Sequence, residues 1–89
     1  MSRQVWKIPL SFDSATRVAL STCAVVRHVA VQDRRICLWI EVDARENIAK
    51  CERVFTIFGT GHELPEGAEY CGTVMLEPFV WHVYELAAV

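Results

Sequence analysis

The sequence predicts an all-β fold with at most one short helical turn, built as a small, partly closed antiparallel barrel or a compact sandwich of about six to seven strands. Three observations carry that expectation. Apolar and polar residues alternate with period two along most of the chain, most regularly in Ile36-Cys37-Leu38-Trp39-Ile40-Glu41-Val42. Residues with turn chemistry interrupt these runs at short intervals. The 89 residues, 53% of them hydrophobic, give a mean hydropathy of +0.23 and provide for one core but not two. The expected unit is a single small β domain over residues 1–89.

Val5 to Leu10 reads as a first strand, with Pro9 marking an edge or a strand end. Ser11-Phe12-Asp13-Ser14 is a turn, and Thr16 to Leu20 a short second strand. Cys23 to Gln32 is a longer strand, with Val25, Val29 and Val31 on one face and Val26, His28 and Ala30 on the other; Arg27 interrupts the first face. Asp33-Arg34-Arg35 turns the chain into the strand Ile36–Val42. Asp43 and Glu46 have capping-box spacing, which predicts a single helical turn over Ala44 to Lys50. Cys51 to Phe58 is a strand that runs into Gly59-Thr60-Gly61, and Leu64-Pro65-Glu66-Gly67 is irregular. Tyr70 to Glu77 and Phe79 to Leu86 are the last two strands, joined at Pro78.

Several strands are apolar on both faces, more than so small a core needs. The excess points to covered sheets or to contact with another chain, a homodimer among the options. No segment has the ~18 uninterrupted apolar residues of a membrane-spanning helix. The opening Met1-Ser2-Arg3-Gln4-Val5-Trp6-Lys7 lacks the apolar run of a secretory signal, so a cytoplasmic protein is expected. Cys23, Cys37, Cys51 and Cys71, at spacings of 14, 14 and 20, match no disulfide scaffold and read as reduced thiols.

The net charge of −2 conceals an asymmetry. Residues 1–53 carry nine bases and six acids, whereas residues 54–89 carry no base and five glutamates: Glu63, Glu66, Glu69, Glu77 and Glu85. Strands from the two halves are expected to interleave and mix these charges. The sharper alternative is an acidic end that attracts a basic partner.

One segment has the character of a site. In Gly59-Thr60-Gly61-His62 two glycines flank a hydroxyl residue, so the backbone can take positive φ and bring amides near a ligand, with a histidine beside them. A tight turn that simply needs glycine twice is the plainer reading. No Lys-Ser/Thr follows and Glu63-Leu64-Pro65 opens no helix, which excludes a phosphate loop of the nucleotidase kind. In Trp81-His82-Val83-Tyr84, His82 and Tyr84 share one strand face and Trp81 and Val83 the other. If His62 approaches His82, the two imidazoles with Tyr84 can read a polar ligand or a stacked nucleobase. A hydrogen-bonded structural histidine is the plainer reading of His82.

Other chemistries find less support. His28, His62, His82 and the cysteines lack the close pairs of structural zinc sites. No nucleophile elbow exists, and neighbouring strand residues such as His62 and Glu63 point apart, so neither an enzyme nor a cofactor is expected. Arg27, Arg34, Arg35, Arg45, Lys50 and Arg53 form a basic set with Trp39 nearby, but a pI near 5.9 argues against nucleic acid as the partner.

Cys37-Leu38-Trp39 with Val42-Asp43, Arg53-Val54-Phe55 leading to Ile57-Phe58-Gly59-Thr60-Gly61-His62, Tyr70-Cys71-Gly72-Thr73 and Val80-Trp81-His82-Val83-Tyr84-Glu85 together resemble a family of short phage and prophage proteins of unknown function. The opening Trp6-Lys7-Ile8-Pro9-Leu10 is similar too, while Ser21-Thr22-Cys23 stands where such proteins tend to have a Pro-x-Gly turn. The resemblance implies a phage or prophage origin and a small β fold, and no activity. With it, the expected function is stoichiometric binding of a host protein or complex, such as inhibition of CRISPR or another defence factor. The alternatives are a small-nucleotide sponge at residues 59–62 and a self-assembling accessory protein. The expected contact residues are Gly59, Thr60, Gly61, His62, Glu63, Glu66, Glu69, Trp81, His82 and Tyr84.

Overall fold

A computed structural model describes residues 2–87; Met1 and residues 88–89 of the expected domain lie outside the described residues. Seven strands form: β1 (Arg3–Pro9), β2 (Thr16–Ser21), β3 (Val25–Gln32), β4 (Arg35–Asp43), β5 (Lys50–Gly59), β6 (Glu69–Leu76) and β7 (Phe79–Leu86). All pair antiparallel, in a three-stranded sheet of order β1-β4-β3 and a four-stranded sheet of order β2-β5-β7-β6. The shortest dimension of the molecule, 18 Å, is that of two layers about 10 Å apart with their outward side chains. The sheets do not close into a barrel, and the architecture is a sandwich. No helix in the described residues is long and apolar enough to cross a membrane.

The core follows from strand parity. Ile36, Leu38, Ile40 and Val42 of β4 all point inward and are buried, facing Phe55, Val74 and Val83 of the other sheet. Ile8, Leu10, Leu20, Ala24 and Val29 complete the cluster, with Trp81, Ile57 and Val18 among the residues packed against it. One ionic contact reaches this interior: Arg53 meets Glu85 through two hydrogen bonds of 2.6 and 2.8 Å and donates a third, of 2.7 Å, to the Ala24 carbonyl. It ties β5 and β7 to the chain segment that passes from the four-stranded sheet to the three-stranded one.

The β3–β4 turn forms as the sequence indicates, with Asp33 and Arg34 both at positive φ, 52° and 61°, as a two-residue hairpin turn of the twisted type requires. Three expectations need correction. The predicted helical turn over Ala44 to Lys50 is absent: Asp43 accepts the Arg45 amide at 3.2 Å and holds its guanidinium, and a lone 3.4 Å bond from Ile48 to Arg45 follows. Six residues that must cross between sheets leave no room for a helix. In β3, Val26 rather than Val25 joins Val29 and Val31 on the inner face. The register slips at Arg27, so that Val26 pairs Ile40 but His28 pairs Trp39, and a bulge of one residue reverses every side chain before it. Finally, the charges mix less than expected. The three-stranded sheet with its hairpin turn draws only on residues 3–43, with five bases and three acids; the four-stranded sheet and its connections 60–68 and 77–78 carry three bases and six acids.

The sheets draw closest along β3 and β6. A Cβ on Gly72 would lie 2.7 Å from Cγ2 and 2.8 Å from Cβ of Val29, so this edge closes only over a residue without a side chain. Gly72→Ala should therefore destabilise the protein by about 1–3 kcal/mol in urea unfolding, and Val29→Ala in the same chain should return part of the loss. Equal stability of Gly72→Ala and the parent would show that the edge is not under this constraint.

Candidate functional site

The site is built on the connection between β5 and β6. Both strands pair antiparallel with β7, which lies between them. They consequently run parallel to each other, and residues 60–68 must travel the length of the sheet to reach the start of β6. The segment crosses on the outer face, where Leu64 shares a cleft with Phe58, His82 and Tyr84. It begins in the Gly-Thr-Gly-His turn, closed by the His62 amide on the Gly59 carbonyl at 3.1 Å.

The two glycines of that turn serve different ends. Gly61 sits at φ +91°, a conformation that side-chain-bearing residues rarely adopt. Gly59 makes room for a ring: a Cβ there would meet His62 Cε1 at 2.9 Å. The imidazole folds back over Gly59 and its Nδ1 accepts that residue's amide proton at 3.1 Å. His62 is thereby held as the Nε2–H tautomer, with that N–H unpaired among the described residues.

His82 is the hub of a second arrangement. Its Nε2 lies 2.9 Å from the Thr60 hydroxyl and its Nδ1 3.0 Å from the Thr73 hydroxyl, which lies 2.6 Å from the Tyr70 hydroxyl. The Thr60 hydroxyl also lies 3.4 Å from the Val80 carbonyl. The imidazole joins Thr60, Thr73 and, through Thr73, Tyr70 in one continuous chain, in which one ring nitrogen donates and the other accepts. His82 thus fastens the start of the crossover to β6, the neighbouring strand beyond β7. Neither ring nitrogen is left to act as a base or a ligand.

Gly59, Thr60, Gly61, His62, His82 and Tyr84 line a single open cleft of about 200 Å³. Tyr84 packs edge-on against Phe58 and Tyr70, with ring centroids 5.9 and 5.5 Å away. Trp81 faces the opposite side of β7, within 4.9 Å of the Phe12 ring and 5.7 Å of the Phe79 ring. It lines an adjoining cleft of about 320 Å³ with Phe79, Val80 and the same turn. Glu63 and Glu66 are exposed on the crossover. Glu69 is not brought to the turn. It opens β6 opposite Glu85, at the far end of the sheet beside Arg53. Sequence reasoning missed Thr73 and Tyr70 as members of the site, and Phe79, Val80 and Met75 as its apolar border. The Tyr70-Cys71-Gly72-Thr73 block of the phage-protein resemblance was the available signal.

No three His, Cys, Asp or Glu side chains among the described residues group as metal ligands, and the four cysteines are free. Cys23 and Cys51 are exposed, Cys37 is buried, and Cys71 is half-buried beside Glu85. Burial first, and then the Glu85 carboxylate, push the Cys71 thiol up to about 11. Thiolate is the reactive form, so Cys71 should resist iodoacetamide at neutral pH and become reactive only as pH approaches that value, while Cys23 and Cys51 are alkylated readily. Peptide mass mapping across a pH series checks this; rapid labelling of Cys71 at pH 7 would contradict its burial against Glu85.

No curated protein and no solved structure matches the chain. One family does, over residues 1–89. The chain belongs to the family described as a domain of unknown function, DUF7352.

Proposed function

We propose that the chain is a stoichiometric protein-binding module whose recognition surface is the hairpin end of β6 and β7, where Phe79 stands on one side and Met75 and Val80 on the other, together with the outer face of β7 and the Gly59–His62 turn. The observation that carries this reading is the placement of exposed apolar side chains. Of nine large hydrophobic residues left exposed among the described residues, five fall between residues 64 and 80: Leu64, Tyr70, Met75, Phe79 and Val80. Leu64, Phe79 and Val80 line the two open clefts beside the turn, and Tyr70 and Met75 stand on the neighbouring β6, opposite Tyr84 and Val80. Exposed apolar side chains gathered on a rigid support are the usual mark of a partner surface. The commitment of both His82 nitrogens supports a positioning role for that histidine rather than a chemical one. The likeness to short phage and prophage proteins favours a host protein as the partner, and inhibition of a host defence complex as the use of the contact.

A tagged chain should capture one defined protein or complex from bacterial host lysate and rebind it, once purified, at fixed stoichiometry. Phe79→Glu and Met75→Glu should each abolish the capture while leaving the circular dichroism spectrum unchanged. Recovery of no partner, or equal recovery by the variants, would overturn the reading.

A second reading, a small nucleotide-binding module, rests on the cleft itself. There His62, whose Nε2 has no hydrogen-bond partner among the described residues, shares the lining with the rings of Phe58 and Tyr84, a combination suited to a stacked base. A nucleotide present at about a hundred times its Kd would add about 2.7 kcal/mol. That amounts to a melting-temperature rise of about 10–20 °C for a domain of this size, and His62→Ala should remove it. No shift across a panel of nucleotides would dismiss this version.

A further inference from the structure

The surface just described carries exposed acids. Glu63 follows the Gly59–His62 turn and Glu77 stands in the β6–β7 turn, whereas Glu66 lies farther along the crossover, next to Gly67, which comes against Ala87 at the other end of the sheet. None of the three forms an ion pair among the described residues, where every salt bridge involves Glu41, Glu52, Asp43 or Glu85. Residues 54–87 contain no Lys or Arg to offset them. Four of the five bases of the opposite sheet and its hairpin turn are engaged locally, all but Arg34: Arg3 and Arg27 both bind Glu41, Lys7 donates to Gln32, and Arg35 to the Leu10 carbonyl.

Resting on the protein-binding reading above, we propose that the segment seated on this surface is cationic, an extended stretch of another protein in which apolar anchors alternate with Lys or Arg. Charge complementarity selects it. An acidic or neutral partner would leave Glu63 and Glu77 desolvated or repelled at the rim, whereas a cationic one is steered toward the three acids and its apolar side chains settle over Met75, Phe79 and Val80. A second copy of the chain fits poorly. A two-fold contact through this face sets the same acids of the two copies against each other.

The probe is a short fluorescein-labelled peptide of Leu, Lys and Ser, compared with its Leu, Glu and Ser counterpart by fluorescence anisotropy on the purified chain. The Lys peptide should bind and the Glu peptide should not. Added salt should weaken binding progressively, and the triple variant E63K/E66K/E77K should weaken it by about tenfold or more. E46K, in the β4–β5 connection, should have no effect. Phe79→Ala should weaken binding at every salt concentration, which separates a seated peptide from loose ion pairing. Equal binding of both peptides, indifference to the triple reversal, or indifference to Phe79→Ala would each overturn the proposal. So would sedimentation showing that the parent self-associates and the triple variant does not, because a second copy would then be the occupant. The two readings fail separately: host capture lost in Phe79→Glu but undiminished in E63K/E66K/E77K keeps the binding module and removes its cationic partner.

Discussion

The parallel relation of β5 and β6 is the constraint from which the site follows. With β7 between them and antiparallel to both, the chain leaving β5 has to return along the whole sheet before β6 can start. Nine residues, 60–68, make that journey outside any strand. A segment of this kind has no ladder to hold it, so its position must come from side chains. Two contacts supply it. The His62 ring folds onto Gly59 at the start, and the Thr60 hydroxyl is gripped by His82 from the sheet below. The Gly-Thr-Gly-His sequence is intelligible in these terms: one glycine to admit the ring, one to reverse the backbone, the threonine to reach the sheet, and the histidine to lie back across it.

Much of this was legible because strand parity is a local property. The alternation in β4 identified four core residues without error, and the pairing of His82 with Tyr84 against Trp81 with Val83 followed from spacing alone. What escaped had causes that are not local. The slip at Arg27 exchanges Val25 and Val26 between faces, and nothing in the run Val25-Val26-Arg27-His28 announces it; the cause lies in how β3 meets β4. Thr73 and Tyr70 become partners of His82 only because β6 lies beside β7, and no pattern in the sequence pairs residues nine and twelve positions apart across a hairpin with a bulge of its own at Cys71. Arg53 read as one base among several, although its partner is 32 residues away and half within the core.

The segregation of charge has the same origin. Interleaving was the natural expectation for a chain of short strands, since sequential strands in a sandwich often alternate between sheets. Here β3 and β4 form a hairpin in one sheet and β6 and β7 a hairpin in the other, so the glutamate-only segment stays in one layer, where β2 and β5 bring only Arg17, Lys50 and Arg53 to offset it and Arg53 meets Glu85. That pair relieves the one place where the glutamate-only half turns inward. Glu69 stands opposite Glu85 in the β6–β7 register, and the Arg53 guanidinium engages both carboxylate oxygens of Glu85, which reduces the repulsion between the two.

The two histidines of the cleft hold it in different ways. His82 is tied through both ring nitrogens, to Thr60 on the crossover and to Thr73 on β6, so a single side chain joins three elements across the sheet. His62 is tied through Nδ1 alone, to the amide of a residue in its own turn. The first braces the crossover against the sheet; the second only shapes the turn. The sheet side of the cleft is therefore the better supported of the two, because its contacts link residues far apart in the chain rather than neighbours within one turn.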